Sequence, residues 1–145
     1  MRSQSEHGHL EAAQSVATPV KVVIPYTDLE MTRRSLASAA ALVRGIPSAV
    51  RIVAVHVVPF PAPFHCQESV HGFLNEQLTT LTSELDCAAE ATVVLAREYE
   101  DGYRQALEPG TTVLIAMRRR WWPTREQRLA RMLTRLGFEV VTVEA

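Results

Sequence analysis

Residues 20–58, VKVVIPYTDLEMTRRSLASAAALVRGIPSAVRIVAVHVV, decide the fold. The apolar run Val22, Val23, Ile24 stops at Pro25, and a polar turn of Tyr26, Thr27 and Asp28 follows. An Ala-rich helical segment then spans 30–44, with Leu36, Ala39, Ala40 and Val43 on one stripe. Asp28 stands where a cap or first-turn acid belongs. Gly45 and Pro47 end the helix, and a second apolar run covers 50–58. Two β-branched runs joined by a helix-length segment predict a βαβ unit with parallel strands. The first strand, 20–26, is apolar on both faces, as suits a central strand covered by helices.

The same alternation continues to the end of the chain. Pro59, Pro61 and Pro63 enforce an extended loop, in which Phe60 and Phe64 are expected to cover an edge of the core. Val70, Leu74, Leu78, Leu81 and Leu85 follow three- and four-residue spacing and predict a long helix over 67–90. A strand is expected at 91–96, then a short helix at 98–107 with Tyr99, Tyr103 and Leu107 on one face. Glu108, Pro109 and Gly110 form a turn, and 111–117 is another strand. Thr124 with Gln127 makes a capping box for the last helix, whose inner stripe is Leu129, Met132, Leu133 and Leu136. Gly137 is placed to cap it, and 138–143 is the final strand. The order β-α-β-α-β-α-β-α-β predicts a doubly wound α/β domain: a five-stranded parallel sheet with helices on both faces, for which right-handed crossovers leave few topologies, the Rossmann-like strand order 3-2-1-4-5 being the one expected. Residues 20–145 form this domain, and 1–19 lack any periodic pattern and read as a flexible tail.

With 145 residues, 47% hydrophobic and 21% charged, the chain has the composition of one ordinary globular domain. A formal net charge of −1 gives no general attraction to nucleic acid. The charge is uneven, though: residues 118–135 carry seven arginines against the single Glu126. Cys66 and Cys87 form no CxxC pair and are too few for a disulfide scaffold, so free thiols in a reducing compartment are expected. The first residues are polar, without the apolar core of a secretory signal, and no run is long enough to span a membrane. A soluble, cytoplasmic protein is expected.

Ligands of such sheets bind beyond the carboxyl ends of the strands, where the strand order reverses. Two loops line that crevice. One contains Pro25, Tyr26, Thr27 and Asp28, and the other runs over 118–124. Asp28 has the chemistry to accept from a ribose or an exocyclic amine, and equally to serve as a helix acid. Arg118, Arg119 and Arg120 have the chemistry to pair with phosphate, and equally read as a solvated basic loop. Catalysis has little support: there is no G-x-S-x-G elbow, HExxH motif, P-loop or metal-spaced Cys/His set. Adjacent His65 and Cys66 tend to point apart in an extended segment, His56 reads as a packed side chain, and His7 with His9 lack further metal ligands.

The chain resembles the universal stress protein family over 20–145. The resemblance rests on IPYTDLEMTRRSL, on AVHVVP at the end of the second strand, on the long helix after a loop, on VLIAM, and on the closing helix and strand. It implies a nucleotide-binding-like stress-response domain that dimerises through its final strand, here 138–143. The family's first strand commonly ends V-P-x-D-G-S, so a gapless match sets Thr27 where the family has its nucleotide-contacting Asp. Asp28 falls one place late. ATP-binding members carry a glycine-rich G-x2-G-x9-G-[ST] loop after the fourth strand, and this chain has MRRRWWPTREQ there. That loop has no glycines to bring backbone N–H groups to phosphates. The resemblance is therefore to members that do not bind ATP.

The expectation is a non-catalytic regulatory or interaction domain without a cofactor, homodimeric through its last strand, with an unidentified protein partner also in view. The alternative is an ATP- or AMP-binding protein that holds phosphate on Arg118, Arg119 and Arg120, with the base near Pro25, Thr27 or Asp28 and Thr124 at the helix start. Trp121 and Trp122 beside the arginines suit a protein interface. Stacking on nucleic acid is the weaker reading, and one tryptophan capping the sheet or filling the space of the missing glycine loop is the structural one.

Overall fold

The computed structural model describes residues 19–84 and 89–144. In chain order the elements are β1 (Val20–Pro25), α1 (Leu29–Leu42), β2 (Ser48–Val57), a single 3-10 turn (Phe64–Cys66), α2 (Glu68–Ser83), β3 (Ala89–Ala96), α3 (Tyr99–Ala106), β4 (Thr112–Met117), α4 (Arg125–Arg135) and β5 (Glu139–Glu144). All five strands are parallel, in the order β3-β2-β1-β4-β5. This is the doubly wound sheet expected from the alternation of periods.

Each face of the sheet carries two helices because the strands are apolar on both sides. On one face Leu36 and Ala39 of α1, with Leu78 and Leu81 of α2, pack on Val22, Ile24, Val50, Ile52 and Leu114. On the other, Tyr103 of α3, with Ala130 and Leu133 of α4, packs on Val23, Val53, Val113 and Ile115. Successive strand residues point to opposite faces, which is why Val22 and Val23 belong to different cores. One contact ties the first face together through a polar group: buried Ser35 donates to the Met31 carbonyl (3.0 Å) and accepts from the backbone N–H of Ala116 in β4 (2.9 Å). Gly102 lets α3 lie close on the sheet, since a Cβ there would stand 2.4 Å from Val55 Cγ1.

The long helix differs from the sequence expectation. It ends at Ser83, and residues 89 and 90 already belong to β3, paired with Val50 and Arg51 of β2. Two physical causes combine. Thr82 and Ser83 donate their hydroxyls to the carbonyls of Thr79 and Thr80, a local bond that competes with helix continuation. Strand pairing with β2, which no local pattern encodes, claims Ala89 and Glu90. Leu85 and Cys87 lie outside the described residues, as do residues 1–18 of the expected tail over 1–19.

Phe60 and Phe64 do not cover the core; they are 84% and 40% exposed. Instead the Arg97 guanidinium lies over both rings, 5.7 and 4.2 Å from their centroids. The same guanidinium donates to the carbonyls of Val58 (3.2 Å) and Ala62 (2.6 Å). A cation that needs several acceptors, together with two ring faces, organises this proline-rich loop from outside the core. His56 sits half-buried in β2, opposite Leu95.

Candidate functional site

The strand order reverses between β1 and β4, and their carboxyl ends, Pro25 and Met117, open the crevice. Thr27 is buried at its floor. Its N–H donates to Thr32 Oγ1 (3.2 Å), and its carbonyl accepts from Arg125 Nη1 (3.1 Å). Asp28 is the N-cap of α1: Oδ1 accepts from the Met31 N–H at 2.8 Å, satisfying one of the helix's orphan donors. Its other oxygen, Oδ2, lies 3.3 Å from Arg118 Nη2. Both carboxylate oxygens are thus engaged within the protein.

Arg118 reaches from the end of β4 back to the start of α1 and closes the crevice with that ion pair. Both partners are about half exposed, so the pair adds little stability; its effect is positional. Arg119 turns the other way, to Glu144 at the end of β5 (3.7 Å). Arg120 is exposed. Thr124 is consumed by the helix start: its hydroxyl accepts from the Gln127 N–H (3.3 Å), and Gln127 Oε1 accepts from the Thr124 N–H (3.1 Å). The predicted capping box is therefore real, and it occupies a side chain proposed for phosphate.

The sequence-predicted residues separate into two groups. Pro25, Thr27, Asp28 and Arg118 converge on the crevice. Arg119, Arg120 and Thr124 do not. Trp121 is fully exposed and Trp122 is 67% exposed, which goes against the alternative reading in which a tryptophan caps the sheet or fills the space of a lost loop. Tyr26 leans to the α1–α2 face, where its hydroxyl donates to Gln77 Oε1 (2.8 Å). Burial pushes its phenol above the usual range, the nearby Asp28 charge adds to this, and Arg125 opposes it.

Sequence reasoning missed Arg125, which joins the final helix to the β1 loop. The signal was its place as the first residue of α4, beside the crevice, but the arginine run masked it. Among the described residues no group of three or more His, Cys, Asp and Glu side chains is placed to hold a metal. Cys66 is a free, exposed thiol at the end of the 3-10 turn, and Cys87, His7 and His9 lie outside the described residues. No described helix is long and apolar enough to cross a membrane.

No protein-family model and no curated protein matches the chain. Solved structures do. A universal stress protein from Archaeoglobus fulgidus superposes with a TM-score of 0.64 at 16% identity, over 85% of this chain and 92% of that one. The Archaeoglobus fulgidus universal stress protein in complex with dAMP gives 0.59 at 15% identity, over 85% and 96%. A universal stress protein in complex with cAMP gives 0.52 at 14% identity, over 88% and 98%. The architecture described above is the universal stress protein fold.

Proposed function

We propose that this chain, built on the universal stress protein fold, is a divergent member of that family. In this reading it is a non-catalytic regulatory or interaction domain of the stress response, soluble in the cytoplasm. It pairs with a second copy along β5 and does not hold ATP in the manner of the glycine-loop members. The observation that carries the reading is the course of the 118–124 connector. Arg119 joins it to Glu144 at the end of β5, and Trp121 and Trp122 stand exposed beside that junction. Because β5 is last in the sheet, one side of its backbone has no strand partner among the described residues. An unpaired edge flanked by Trp and Arg is a composition that favours association.

The case against the usual ATP mode is chemical. A triphosphate needs a cradle of backbone N–H groups or a cluster of free cations. The connector has no glycine to bend into such a cradle. Of its three arginines, Arg118 is spent on Asp28 and Arg119 faces Glu144. Calorimetry with Mg-ATP is expected to show no binding at micromolar concentration. A dissociation constant near 1 μM, about −8 kcal/mol, would overturn this reading.

A second reading keeps an adenine nucleotide in the crevice, with phosphate on Arg118, Arg119 and Arg120. Its support is that structural relatives are found with dAMP and cAMP, ligands with a single phosphate and so a smaller demand for donors. A mass spectrum of small molecules released from the purified protein separates the two: a stoichiometric adenine nucleotide favours the second.

A further inference from the structure

Between α3 and α4, below the carboxyl end of β1, a cleft of about 240 Å³ opens to the surface. Tyr99, Tyr103, Leu129 and Met132 form its apolar walls, and Arg125 and Arg128 stand at its basic side. No lining side chain is a carboxylate. The two acids within α3 are engaged elsewhere, Glu100 with Arg135 and Arg104, and Asp101 with Arg104. Among the described residues neither Arg125 nor Arg128 forms an ion pair. Arg125 is already oriented, because its guanidinium donates to the Thr27 carbonyl at 3.1 Å. Tyr103 is fixed by burial, at 2% exposure, while Tyr99 is 45% exposed at the mouth.

These features select a ligand class. Two tyrosines with a leucine and a thioether make a wall suited to a flat apolar body. Two unpaired guanidinium groups beside it suit a planar anion, which a carboxylate supplies with matching fork geometry. The volume limits the size: about 240 Å³ is below the roughly 300–1,000 Å³ of sites that enclose drug-sized ligands, so one ring fits and a base, sugar and phosphate together do not. We propose that the cleft between α3 and α4 is a binding site for a small single-ring aromatic carboxylate, its ring among Tyr99, Tyr103, Leu129 and Met132 and its carboxylate held by Arg125 and Arg128. The cleft borders the β1 loop through Tyr26 and Thr27 but includes neither the β5 edge nor the Asp28–Arg118 pair, so the proposal goes beyond the function proposed above.

The test titrates the whole chain with 4-hydroxybenzoate, followed by amide chemical shifts and calorimetry. Saturable shifts are expected at Tyr99, Leu129 and Met132. The neutral analogue 4-hydroxybenzamide is expected to bind about tenfold more weakly or worse, because it lacks the charge-assisted bonds. Arg128→Met, at an exposed position, is expected to lose affinity for the carboxylate to the same degree and to leave the amide's binding unchanged. Acetate, which has the charge and no ring, is expected to leave these amides unmoved at the same concentration. No saturable shift with 4-hydroxybenzoate at millimolar concentration would overturn the proposal. Equal affinity for acid and amide on the wild-type chain would do the same, and this comparison needs no variant to fold.

Discussion

A Cβ at position 102 would stand 2.4 Å from Val55 Cγ1 and 3.2 Å from Ala96 Cβ, so α3 lies this close to β2 and β3 only with glycine there. Gly102→Ala sets two effects against each other. Helix propensity favours alanine by about 1 kcal/mol, and overpacking a tight contact costs about 1–3 kcal/mol. The clash is with a γ-carbon of a stiff β-branched side chain, so the second effect wins. Urea denaturation should show a net loss of stability; an equal or higher midpoint would mean that Val55 rotates away freely. Tyr103, the next residue, gives a pH prediction. Burial raises its phenol pKa well above 10.0, with Tyr99 adding and Arg125 opposing. The folded state thus holds this proton more tightly than the unfolded chain. Its stabilising contribution is complete below about pH 10 and is lost as pH rises above that. Urea midpoints between neutral and strongly alkaline pH should fall more steeply for wild type than for Tyr103→Phe. At this scale the sequence was uneven. Asp28 was readable as a cap because its partner is three residues away, whereas Ser35, Gly102 and Arg125 act through residues distant in the chain.

Among the elements, α4 shows local encoding most plainly. Thr124 and Gln127 satisfy each other's backbone donors, as the T-x-x-Q spacing indicates, and Gly137 follows with φ +95, a conformation glycine adopts without strain. Thr124→Ala removes the hydroxyl acceptor and should cost about 1 kcal/mol, read as a lower urea midpoint with an unchanged slope. A larger loss would show that Thr124 also braces the connector. The end of α2 shows the opposite case. Its apolar stripe continues in sequence past Ser83, yet Ala89 and Glu90 pair with Val50 and Arg51. The competing interaction is a strand ladder with residues about forty positions away, and no helical period reports it. The proline loop failed for a related reason: Phe60 and Phe64 were read as core by their apolarity, and the cation that organises them, Arg97, lies far along the chain.

For the whole molecule, the alternation of two apolar periods was enough to set the doubly wound parallel class, and right-handed crossovers left few topologies; the observed order β3-β2-β1-β4-β5 is the Rossmann-like one among them. The site was less legible. Pro25, Thr27, Asp28 and Arg118 stand together at the end of β1 and β4, but their side-chain partners decide what they do there. Asp28 and Arg118 neutralise each other, Thr124 caps a helix, and Trp121 and Trp122 stand in solvent. None of these outcomes follows from composition. The proposed pairing rests on the connector with its exposed tryptophans and on the adjoining β5 edge. Trp121 is fully exposed and Trp122 is 67% exposed, so truncating them leaves no enclosed cavity and should change monomer stability little. Sedimentation velocity at high micromolar concentration, on wild type and on Trp122→Ala, tests this most directly. Wild type is expected to sediment as a dimer and the variant to shift toward monomer, with the urea midpoint of the monomer little changed. A wild-type chain that sediments as a monomer would contradict it.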